Sequence, residues 1–350
     1  MKKVNVLIVD DSAFMRRILT DILNKDYRIE VVGTARNGKD CLQKMEMLKP
    51  DVITLDVEMP IMDGLEALDH IMKKNPKPVV MVSSLTKEGA ESTVKAMSLG
   101  AVDFIQKPSG SISLDMENVD SHIIKKVLVA SDANVVTCEQ PLLHKKVPLP
   151  DDYQLKGNLV AIGTSTGGPR ALQQVLTSLP GDLPAPIAVV QHMPKGFTKS
   201  LADRLDKLCS IQVKEAEHLE KLINGTAYIA PGGYHMHVRQ KQNELVIELD
   251  ESDPVHGHRP SVNRLFSSLS QLKGISTTSV VMTGMGADGA EGLFELKQRA
   301  GGTHSIAEAE TSCVVYGMPK AIVKSGLADE VRELRDISRS IIESLQIKRG

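Results

Sequence analysis

The sequence predicts an α/β protein with two domains, each built around a parallel β-sheet. A chain of 350 residues is too long for one ordinary domain of roughly 150 residues. Short apolar runs rich in β-branched residues alternate with amphipathic segments, and a proline-containing stretch divides this alternation into two series. The runs lack polar alternation, which is typical of strands that are buried on both faces of a parallel sheet.

The first series fills residues 1–107 and predicts five strands, namely Val4–Val9, Ile29–Gly33, Val52–Leu55, Val79–Val82 and Val102–Ile105. Helical patterns lie between them, for example around Phe14, Ile18 and Ile22, and again over Gly64–Lys73. A last amphipathic helix is predicted around Val119–Ala130. The repeated β–α unit indicates a doubly wound parallel sheet, and we place the first domain at residues 1–130.

The pattern then loosens, because Pro141, Pro148 and Pro150 interrupt any periodicity. We interpret residues 131–156 as a linker and residues 157–347 as the second domain. Strands are predicted there at Leu159–Ile162, Ile187–Gln191, Ala227–Ala230 and Val280–Thr283. Two further runs predict an antiparallel hairpin, Tyr234–Arg239 paired with Glu244–Leu249.

Composition excludes several classes of function. Hydrophobic residues make up 41% and charged residues 25% of a chain whose net charge is −2, as in a soluble globular protein. A nucleic-acid or membrane-surface module would be basic, and base stacking would need more than 3% aromatic residues. No apolar run approaches the roughly 20 residues of a membrane span.

The cysteines are scattered along the chain, at Cys41, Cys138, Cys209 and Cys313. This spacing indicates a reducing cytoplasm, without disulfides or a zinc site.

Polar residues follow the predicted strands of the first domain. Asp10 and Asp11 follow the first strand, and Asp56 follows the third, so the three carboxylates are expected in one crevice. Oxygen ligands at this density suit Mg²⁺, and a carboxylate beside Mg²⁺ can accept a phosphoryl group. Ser83 and Lys107, at two further strand ends, are suitable donors to phosphoryl oxygens. The alternative for each aspartate alone is that it caps a helix.

These residues resemble a response-regulator receiver domain. The resemblance covers about residues 1–125 and rests on V-D-D-S, D-V-E-M-P-I-M-D-G, M-V-S-S and G-A-V-D-F-I-Q-K-P. It implies a flavodoxin-like fold in which Asp56 accepts a phosphoryl group from a histidine kinase. It further implies that Asp10, Asp11, Asp56 and the backbone carbonyl of Glu58 hold Mg²⁺. Ser83 and Lys107 would sense the phosphate, and Phe104, where Tyr is commoner, would be the switch aromatic.

A candidate nucleophile follows the first strand of the second domain. Ser165 lies in G-T-S-T-G-G-P, between that strand and an amphipathic helix. Gly163, Ser165 and Gly167 have the spacing of a nucleophile elbow, whose backbone N–H groups suit the oxyanion of acyl transfer. The loop alone is equally compatible with a phosphate cradle, although it lacks the lysine of a P-loop.

His192 and Asp288 complete a candidate catalytic triad. His192 directly follows the strand Ile187–Gln191, and Asp288 follows Val280–Thr283 between glycines. All three residues are therefore expected at one edge of the sheet. Ser165 would attack an acyl carbon, His192 would carry the proton, and Asp288 would orient the imidazole. Taken singly, His192 could be a structural histidine and Asp288 a turn aspartate.

Two histidine pairs raise the alternative of a metal site in the second domain. His235 and His237, and likewise His256 and His258, are separated by one residue and would share a face of a strand. No third ligand with recognisable spacing accompanies either pair. We therefore expect no metal or other cofactor in this reaction.

The second domain resembles the CheB family of chemoreceptor methylesterases. The resemblance covers about Gly157 to Gln346 and rests on I-G-T-S-T-G-G-P, V-V-Q-H-M-P, Y-I-A-P-G-G-Y-H-M, H-R-P-S-V-N-R-L-F, T-G-M-G-A-D-G and V-V-Y-G-M-P. It implies a doubly wound parallel-sheet methylesterase domain with an antiparallel hairpin. It implies the triad Ser165, His192 and Asp288, and oxyanion donation by the backbone N–H groups of Thr166 and Met285.

The combined resemblance implies a cytoplasmic, phosphorylation-activated esterase. The family hydrolyses glutamyl methyl esters on chemotaxis receptors, and many members deamidate receptor glutamines. The expected partners are these receptors and a histidine kinase, without nucleic acid or membrane insertion. One alternative, a transcriptional regulator, predicts a basic, compact helical second domain. A second alternative is a binding module with a degenerate esterase domain, which the presence of all three triad residues disfavours.

Overall fold

The computed structural model describes residues 3–84, 86–107, 116–135, 157–242, 244–300 and 302–346. The chain divides into two compact units, Met1–Pro141 and Leu142–Gly350. Most of the predicted linker, residues 136–156, lies outside the described residues. The limits of the predicted domains therefore stay predictions.

The first unit contains a five-stranded parallel sheet with strand order β2-β1-β3-β4-β5. Its strands are β1 (Val4–Val9), β2 (Ile29–Ala35), β3 (Val52–Asp56), β4 (Val79–Ser83) and β5 (Asp103–Gln106). This is the flavodoxin-like order, whose switch point lies between β1 and β3. Because Asp10 follows β1 and Asp56 ends β3, both carboxylates lie at that switch point.

Side-chain caps fix where the helices of the first unit begin. The helices are α1 (Ala13–Leu23), α2 (Gly38–Leu48), α3 (Gly64–Lys74), α4 (Lys87–Leu99) and α5 (Met116–Ser131). Ser12, Asn37, Asp63 and Thr86 precede the first four helices, and each accepts a hydrogen bond from a backbone N–H of the first turn. The sequence thus ends each of these four loops at a defined residue.

The second unit contains a seven-stranded sheet with strand order β14-β13-β12-β6-β7-β9-β8, and all of its neighbouring strands are parallel. Its strands are β6 (Asn158–Thr164), β7 (Ile187–Gln191), β8 (Gln212–Glu215), β9 (Thr226–Ile229), β12 (Ser276–Val281), β13 (Thr303–Glu308) and β14 (Glu330–Arg332). The strands β10 (His235–Lys241) and β11 (Glu244–Asp250) form the predicted antiparallel hairpin. The fold class predicted from the sequence is confirmed, and this unit is not the helical domain that the DNA-binding alternative predicts.

The order of these strands creates a second switch point. The chain leaves β6 toward β7 on one side, and it later returns to place β12 on the other side of β6. Ligands of open α/β sheets bind outside the carboxyl ends of strands at such a reversal. Side chains just past β6, β7 and β12 therefore share one edge.

Close approaches fix the position of helix α8 against its neighbours. The helices of this unit are α6 (Gly168–Thr177), α7 (Phe197–Asp206), α8 (Val262–Leu269), α9 (Ala290–Arg299), α10 (Met318–Lys324) and α11 (Ile337–Gln346). A Cβ on Gly163 of β6 would lie 2.3 Å from Val262 Cγ1, and one on Gly292 of α9 would lie 2.5 Å from the backbone oxygen of Asn263. Glycine at both positions lets α8 pack tightly on β6 and α9.

Strand β12 is displaced from its predicted position at both ends, and it ends at Val281 rather than Thr283. The N–H of Thr283 leaves the ladder and donates to Glu308 Oε2, 2.7 Å away. Glu308 is the last residue of β13 and is fully buried, and its Oε1 accepts a hydrogen bond from Ser312. Burial raises the pKa of Glu308 to about 7, although the hydrogen bonds from Thr283 and Ser312 oppose that rise.

No described helix combines the length and the apolar character that crossing a membrane would require.

Replacing Glu308 with Gln should change how stability depends on pH. Because folding raises the pKa of Glu308 from its ordinary value of 4.5 to about 7, the wild-type protein loses stability as pH rises through this range. Glu308→Gln keeps an acceptor for Thr283 without the charge, so it should gain about 1–3 kcal/mol over wild type at pH 8 and little at pH 4.5. Calorimetric melting of the second unit across this range measures the difference, and a gain independent of pH would contradict the prediction.

Adding a methyl group at Gly292 should destabilise the contact between α8 and α9. Alanine normally improves a helix interior by about 0.5–1 kcal/mol relative to glycine. Here its Cβ would meet backbone of α8, so we expect Gly292→Ala to lose about 1–3 kcal/mol. Gln298→Ala, at an exposed position of the same helix, is the control and should change stability by less than about 0.5 kcal/mol. Calorimetry of the second unit tests both variants.

Candidate active site and phosphorylation site

Ser165 lies on a turn whose backbone is held from both sides. The turn connects β6 to α6, and Gly167 adopts a φ of +77° at the N-cap of that helix. Ser165 N–H donates to Thr283 O at 3.0 Å, and Ser165 O accepts from Gly168 N–H at 2.8 Å. The side chain of Ser165 is thereby presented, half-buried, at the carboxyl end of the central strand.

The pairing of β6 with β7 brings His192 beside this turn. Thr164 pairs with Gln191, and His192 N–H donates to Thr164 O at 3.2 Å, so Ser165 and His192 each follow a paired residue. The Gln191 amide donates to the carbonyls of both Ser165 and His192, at 3.0 and 3.3 Å. A Cβ on Gly168 would lie 2.0 Å from Gln191 Oε1, so the amide fits only against glycine.

A hydrogen bond of 2.8 Å joins His192 Nε2 to Asp288 Oδ2, and both side chains are buried. The other ring nitrogen, Nδ1, is also buried and has no hydrogen-bond partner among the described residues. Nδ1 is therefore the nitrogen left to exchange a proton with a nucleophile. No hydrogen bond between Ser165 Oγ and His192 is recorded for the described part of the chain, and such bonds often tighten only when substrate is bound.

Asp288 is bound at the N-terminus of α8. Its carboxylate accepts hydrogen bonds from Ser261 Oγ at 2.9 Å, Val262 N–H at 2.7 Å and Asn263 N–H at 3.0 Å. Burial alone would raise the pKa of Asp288, but His192 and the N–H groups of α8 outweigh it and lower the pKa to about 2. Asp288 is thus ionised and fixed in orientation, as a partner for imidazolium must be.

Asn263 extends this arrangement to the loop that carries Asp288. Asn263 Oδ1 accepts the backbone N–H groups of Gly289 and Gly292, at 2.8 and 2.9 Å. Neither Ser261 nor Asn263 directly follows a strand, so the strand-end pattern does not mark them as functional residues. One available signal was Ser261 itself, a good N-cap residue directly before the apolar pattern of α8.

Thr283 connects the nucleophile turn to its neighbours. Its carbonyl accepts from Ser165 N–H and from Thr164 Oγ1, at 3.0 and 2.8 Å. Its hydroxyl donates to Thr166 O at 2.9 Å and accepts from Val315 N–H at 2.9 Å. Because Glu308 holds the N–H of the same residue, the whole turn depends on the buried end of β13.

The two predicted oxyanion donors belong to two different loops. Thr166 follows Ser165 in the turn, and Met285 lies in the loop between β12 and α9. Gly284 fixes that loop, since its N–H donates to Val315 O and its carbonyl accepts from Met318 N–H at 2.8 Å. No described residue accepts a hydrogen bond from Met285 N–H. The oxyanion role of both residues stays a prediction.

The predicted triad residues thus follow three adjacent strands at one edge. A hydroxyl, a buried imidazole and an ionised carboxylate in this order can perform nucleophilic acyl transfer. A buried carboxylate would repel a phosphate, so the arrangement favours acyl transfer over the phosphate-cradle alternative.

The histidine pairs do not form a metal site in the described part of the chain. Within it, Asp10, Asp11 and Asp56 are the one group of three His, Cys, Asp or Glu residues placed to share an ion. His235 Nε2 contacts Asp253 O at 3.1 Å, and His237 pairs with Asp250.

The acidic cluster of the first unit gathers around Lys107. Carboxylate oxygens of Asp10, Asp11 and Asp56 lie within 4.8 Å of one another. Lys107 Nζ lies 2.8 Å from Asp56 Oδ2 and 3.4 Å from Asp10 Oδ2. Burial raises the pKa of Asp56 to about 6 against the opposing effect of Lys107, and neighbouring Asp10 adds to the rise.

This cluster fits a divalent cation. Apart from the 3.4 Å ion pair with Lys107, the buried Asp10 Oδ2 has no hydrogen-bond partner among the described residues, and burial raises the pKa of Asp10 as well. Clustered carboxylate oxygens are the ligands that Mg²⁺ prefers. Glu58, the predicted carbonyl ligand, lies two residues after Asp56 and is exposed.

The remaining predicted residues lie in the neighbouring strands, Ser83 at the end of β4 and Phe104 within β5. Ser83 is buried, and its hydroxyl donates to Gly89 O at 3.1 Å. Phe104 is buried in β5, with Lys126 Nζ 4.9 Å from its ring centroid. Lys126 also donates to Phe104 O at 2.6 Å, so a cation restrains the aromatic ring although it carries no hydroxyl. The phosphate-sensing roles stay predictions.

The comparisons with known proteins agree with this geometry. Residues 160–341 match the family model described as CheB methylesterase, and residues 6–116 match the response regulator receiver domain. A protein-glutamate methylesterase/protein-glutamine glutaminase of Oceanobacillus iheyensis is 54% identical over 351 residues, covering 99% of this chain and 100% of that protein. The protein of the same name from Bacillus subtilis is 48% identical and covers 99% of both chains.

A solved structure supports the same assignment for the second unit. The crystal structure of the Thermotoga maritima CheB methylesterase catalytic domain is 44% identical, covers 54% of this chain and 98% of that chain, and has a TM-score of 0.52. One family model spans more than half of the chain, and the two relatives match along nearly its whole length. The chain therefore belongs to the CheB methylesterase family, with a response regulator receiver domain preceding the catalytic domain.

Proposed function

We propose that this protein is a phosphorylation-activated serine esterase of chemotaxis adaptation. It hydrolyses glutamate methyl esters on chemoreceptors to glutamate and methanol, and it deamidates receptor glutamines. The observation that carries the proposal is the buried hydrogen bond between His192 and Asp288, beside a nucleophile turn at the switch point of the sheet. The names of the relatives, protein-glutamate methylesterase/protein-glutamine glutaminase, support both activities.

The reaction begins when Ser165 Oγ attacks the carbonyl carbon of the ester. His192 accepts the hydroxyl proton at Nδ1, because its Nε2–H is engaged by Asp288 Oδ2. The resulting imidazolium lies against an ionised carboxylate whose pKa is about 2. Asp288 therefore stabilises the charge without taking the proton.

The tetrahedral intermediate places a negative charge on the former carbonyl oxygen. The N–H groups of Thr166 and Met285 stabilise this oxyanion. His192 then returns its proton to the departing methanol, and an acyl-enzyme on Ser165 remains. Water activated by His192 hydrolyses that ester and releases glutamate. A receptor glutamine reacts by the same steps, with ammonia as the leaving group.

The receiver domain supplies the regulation. Asp56 accepts a phosphoryl group from a histidine kinase, and Lys107 and Ser83 bind the phosphoryl oxygens. Asp10, Asp11, Asp56 and the carbonyl of Glu58 would hold Mg²⁺, which when bound offsets the charge of the carboxylates and of the incoming phosphoryl group. Phe104 is the switch aromatic. The protein acts in the cytoplasm, its esterase reaction uses no cofactor, and its partners include no nucleic acid.

Removing the nucleophile should abolish turnover while the fold remains. We expect Ser165→Ala to reduce methanol release from methylated receptor membranes by at least about 10³-fold, because the acyl-enzyme no longer forms. Ser210→Ala, at an exposed serine of the same unit, is the matched control and should keep wild-type turnover. Circular dichroism verifies the fold of both variants. Methanol release by Ser165→Ala at the wild-type rate would assign the nucleophile to another residue.

Removing the phosphoacceptor should abolish activation. With acetyl phosphate and Mg²⁺ as phosphodonor, wild-type methanol release should rise, whereas the ratio of stimulated to unstimulated rates should be one for Asp56→Asn. Asp69→Asn alters an exposed aspartate of α3 in the same domain and should keep the wild-type ratio. Stimulation of Asp56→Asn to the wild-type extent would show that activation does not pass through Asp56.

A further inference from the structure

A second histidine lies face to face with the imidazole of His192. The ring centroids of His192 and His258 are 3.9 Å apart, and the two ring planes differ by 10°. In this stacked arrangement the rings present their faces to each other, whereas a shared metal ion would need ring nitrogens that converge. His258 therefore covers one face of the His192 ring. The two rings are not arranged to bind a metal ion together.

A tight turn determines the position of His258. Val255 and His258 exchange backbone hydrogen bonds of 3.0 and 2.9 Å across it. The central residues, His256 and Gly257, have φ angles of +50° and +80°, which is the pattern of a type I′ turn. This closed turn restricts the backbone of His258, so the ring has a defined location.

The chain that follows His258 binds Asp288, the other partner of His192. After two residues it reaches Ser261 and then the first N–H groups of α8, all of which donate to that carboxylate. One continuous segment, residues 258–263, thus contacts both the face of the base and the acid. Because α8 is packed closely on β6 and α9, this segment has a rigid support.

His192 needs such a contact for a physical reason. Its side chain has a single hydrogen bond, at Nε2, and Nδ1 has no partner among the described residues. One hydrogen bond leaves the ring able to tilt about the Nε2 contact, and a tilt displaces Nδ1 from the nucleophile. A flat neighbour packed at 3.9 Å opposes that tilt and excludes water from one face of the ring.

We propose that His258 is a positioning residue for the catalytic base, and that its flat ring, stacked on His192, holds Nδ1 in line with Ser165. The proposal deepens the esterase function above and rests on it. The planar shape of the side chain at position 258 carries the effect. A phenyl ring at position 258 should therefore preserve the activity, whereas an aliphatic side chain of similar volume should not.

Three variants of the full chain separate planarity from bulk: His258→Phe, His258→Leu and His258→Ala. His256→Asn alters the same turn at an exposed position where asparagine tolerates the positive φ, so it is the matched control. Each variant is assayed for kcat and KM of methanol release from methylated receptor membranes, with acetyl phosphate and Mg²⁺ present. The rate at which a fluorophosphonate labels Ser165 is measured by mass spectrometry under the same conditions, with Ser165→Ala as the blank.

We expect His258→Ala and His258→Leu to lower kcat and the labelling rate at least tenfold, with KM within twofold of wild type. His258→Phe should stay within about threefold of wild type in both rates, and His256→Asn should match wild type. If His258→Ala does not melt cooperatively in calorimetry, the rates of His258→Phe and His258→Leu are compared instead, and their difference tests the proposal.

Equal rates for Phe and Leu, an unchanged kcat in the Ala variant, or unfolding of all three variants would overturn the inference. Methanol release and labelling respond differently if the proposed function itself fails. A wild-type protein that is labelled at Ser165 but releases no methanol refutes the receptor-esterase function, and the labelling rates still test His258. A wild-type protein that is not labelled lacks an activated Ser165–His192 pair, and the inference falls with it.

Discussion

The catalytic unit depends on one anion held at one helix end. Asp288 is almost completely removed from water, and a buried carboxylate is costly unless hydrogen bonds and opposite partial charges replace its hydration. The N-terminus of α8 supplies both, through two backbone N–H groups and the hydroxyl of its N-cap, Ser261. Since His192 is hydrogen-bonded to that anion, the location of its imidazole follows from the location of α8.

The position of α8 in turn depends on residues that have no reactive side chain. Gly163 and Gly292 allow strand β6 and helix α9 to approach α8 more closely than any Cβ would permit. Thr283 performs a similar task on the other side, since it links the nucleophile turn to the buried end of β13. The three side chains of the proposed triad are therefore aligned by contacts in the sheet and in the helices packed on it.

Both domains place a carboxylate at the edge of the sheet where the strands end, and the surroundings give the two carboxylates opposite properties. Asp56 lies among other carboxylates with one nearby ammonium, and burial raises its pKa to about 6. Asp288 is surrounded by hydrogen-bond donors, which lower its pKa to about 2 in spite of burial. The first environment suits a divalent cation, whereas the second keeps a fixed negative charge beside an imidazole. The architecture provides the location, and the neighbouring side chains decide the chemistry.

Much of this organisation is predictable from the sequence, and the rest is not for identifiable reasons. Apolar runs reveal buried strands, and the strand-end rule brings Ser165, His192 and Asp288 to one edge. The strands β8, β13 and β14 were missed because they are short or mix polar with apolar residues, and β8 and β14 lie at the edges of the sheet. His258 and Asn263 lie in a loop and a helix that do not directly follow a strand in the sequence, so the strand-end rule does not reach them. The choice between the two ring nitrogens of His192 depends on orientation, which no sequence pattern encodes.

The fit of the Gln191 amide against Gly168 has a consequence for how the enzyme can diversify. No side chain can be added at position 168 without displacing the amide that joins the backbones of Ser165 and His192, and position 163 is closed by α8. Glycine is therefore required on both sides of Ser165, at position 163 in β6 and at position 168 at the start of α6. Laboratory evolution aimed at altered substrates should therefore randomise other loops at this edge of the sheet and leave Gly163 and Gly168 unchanged.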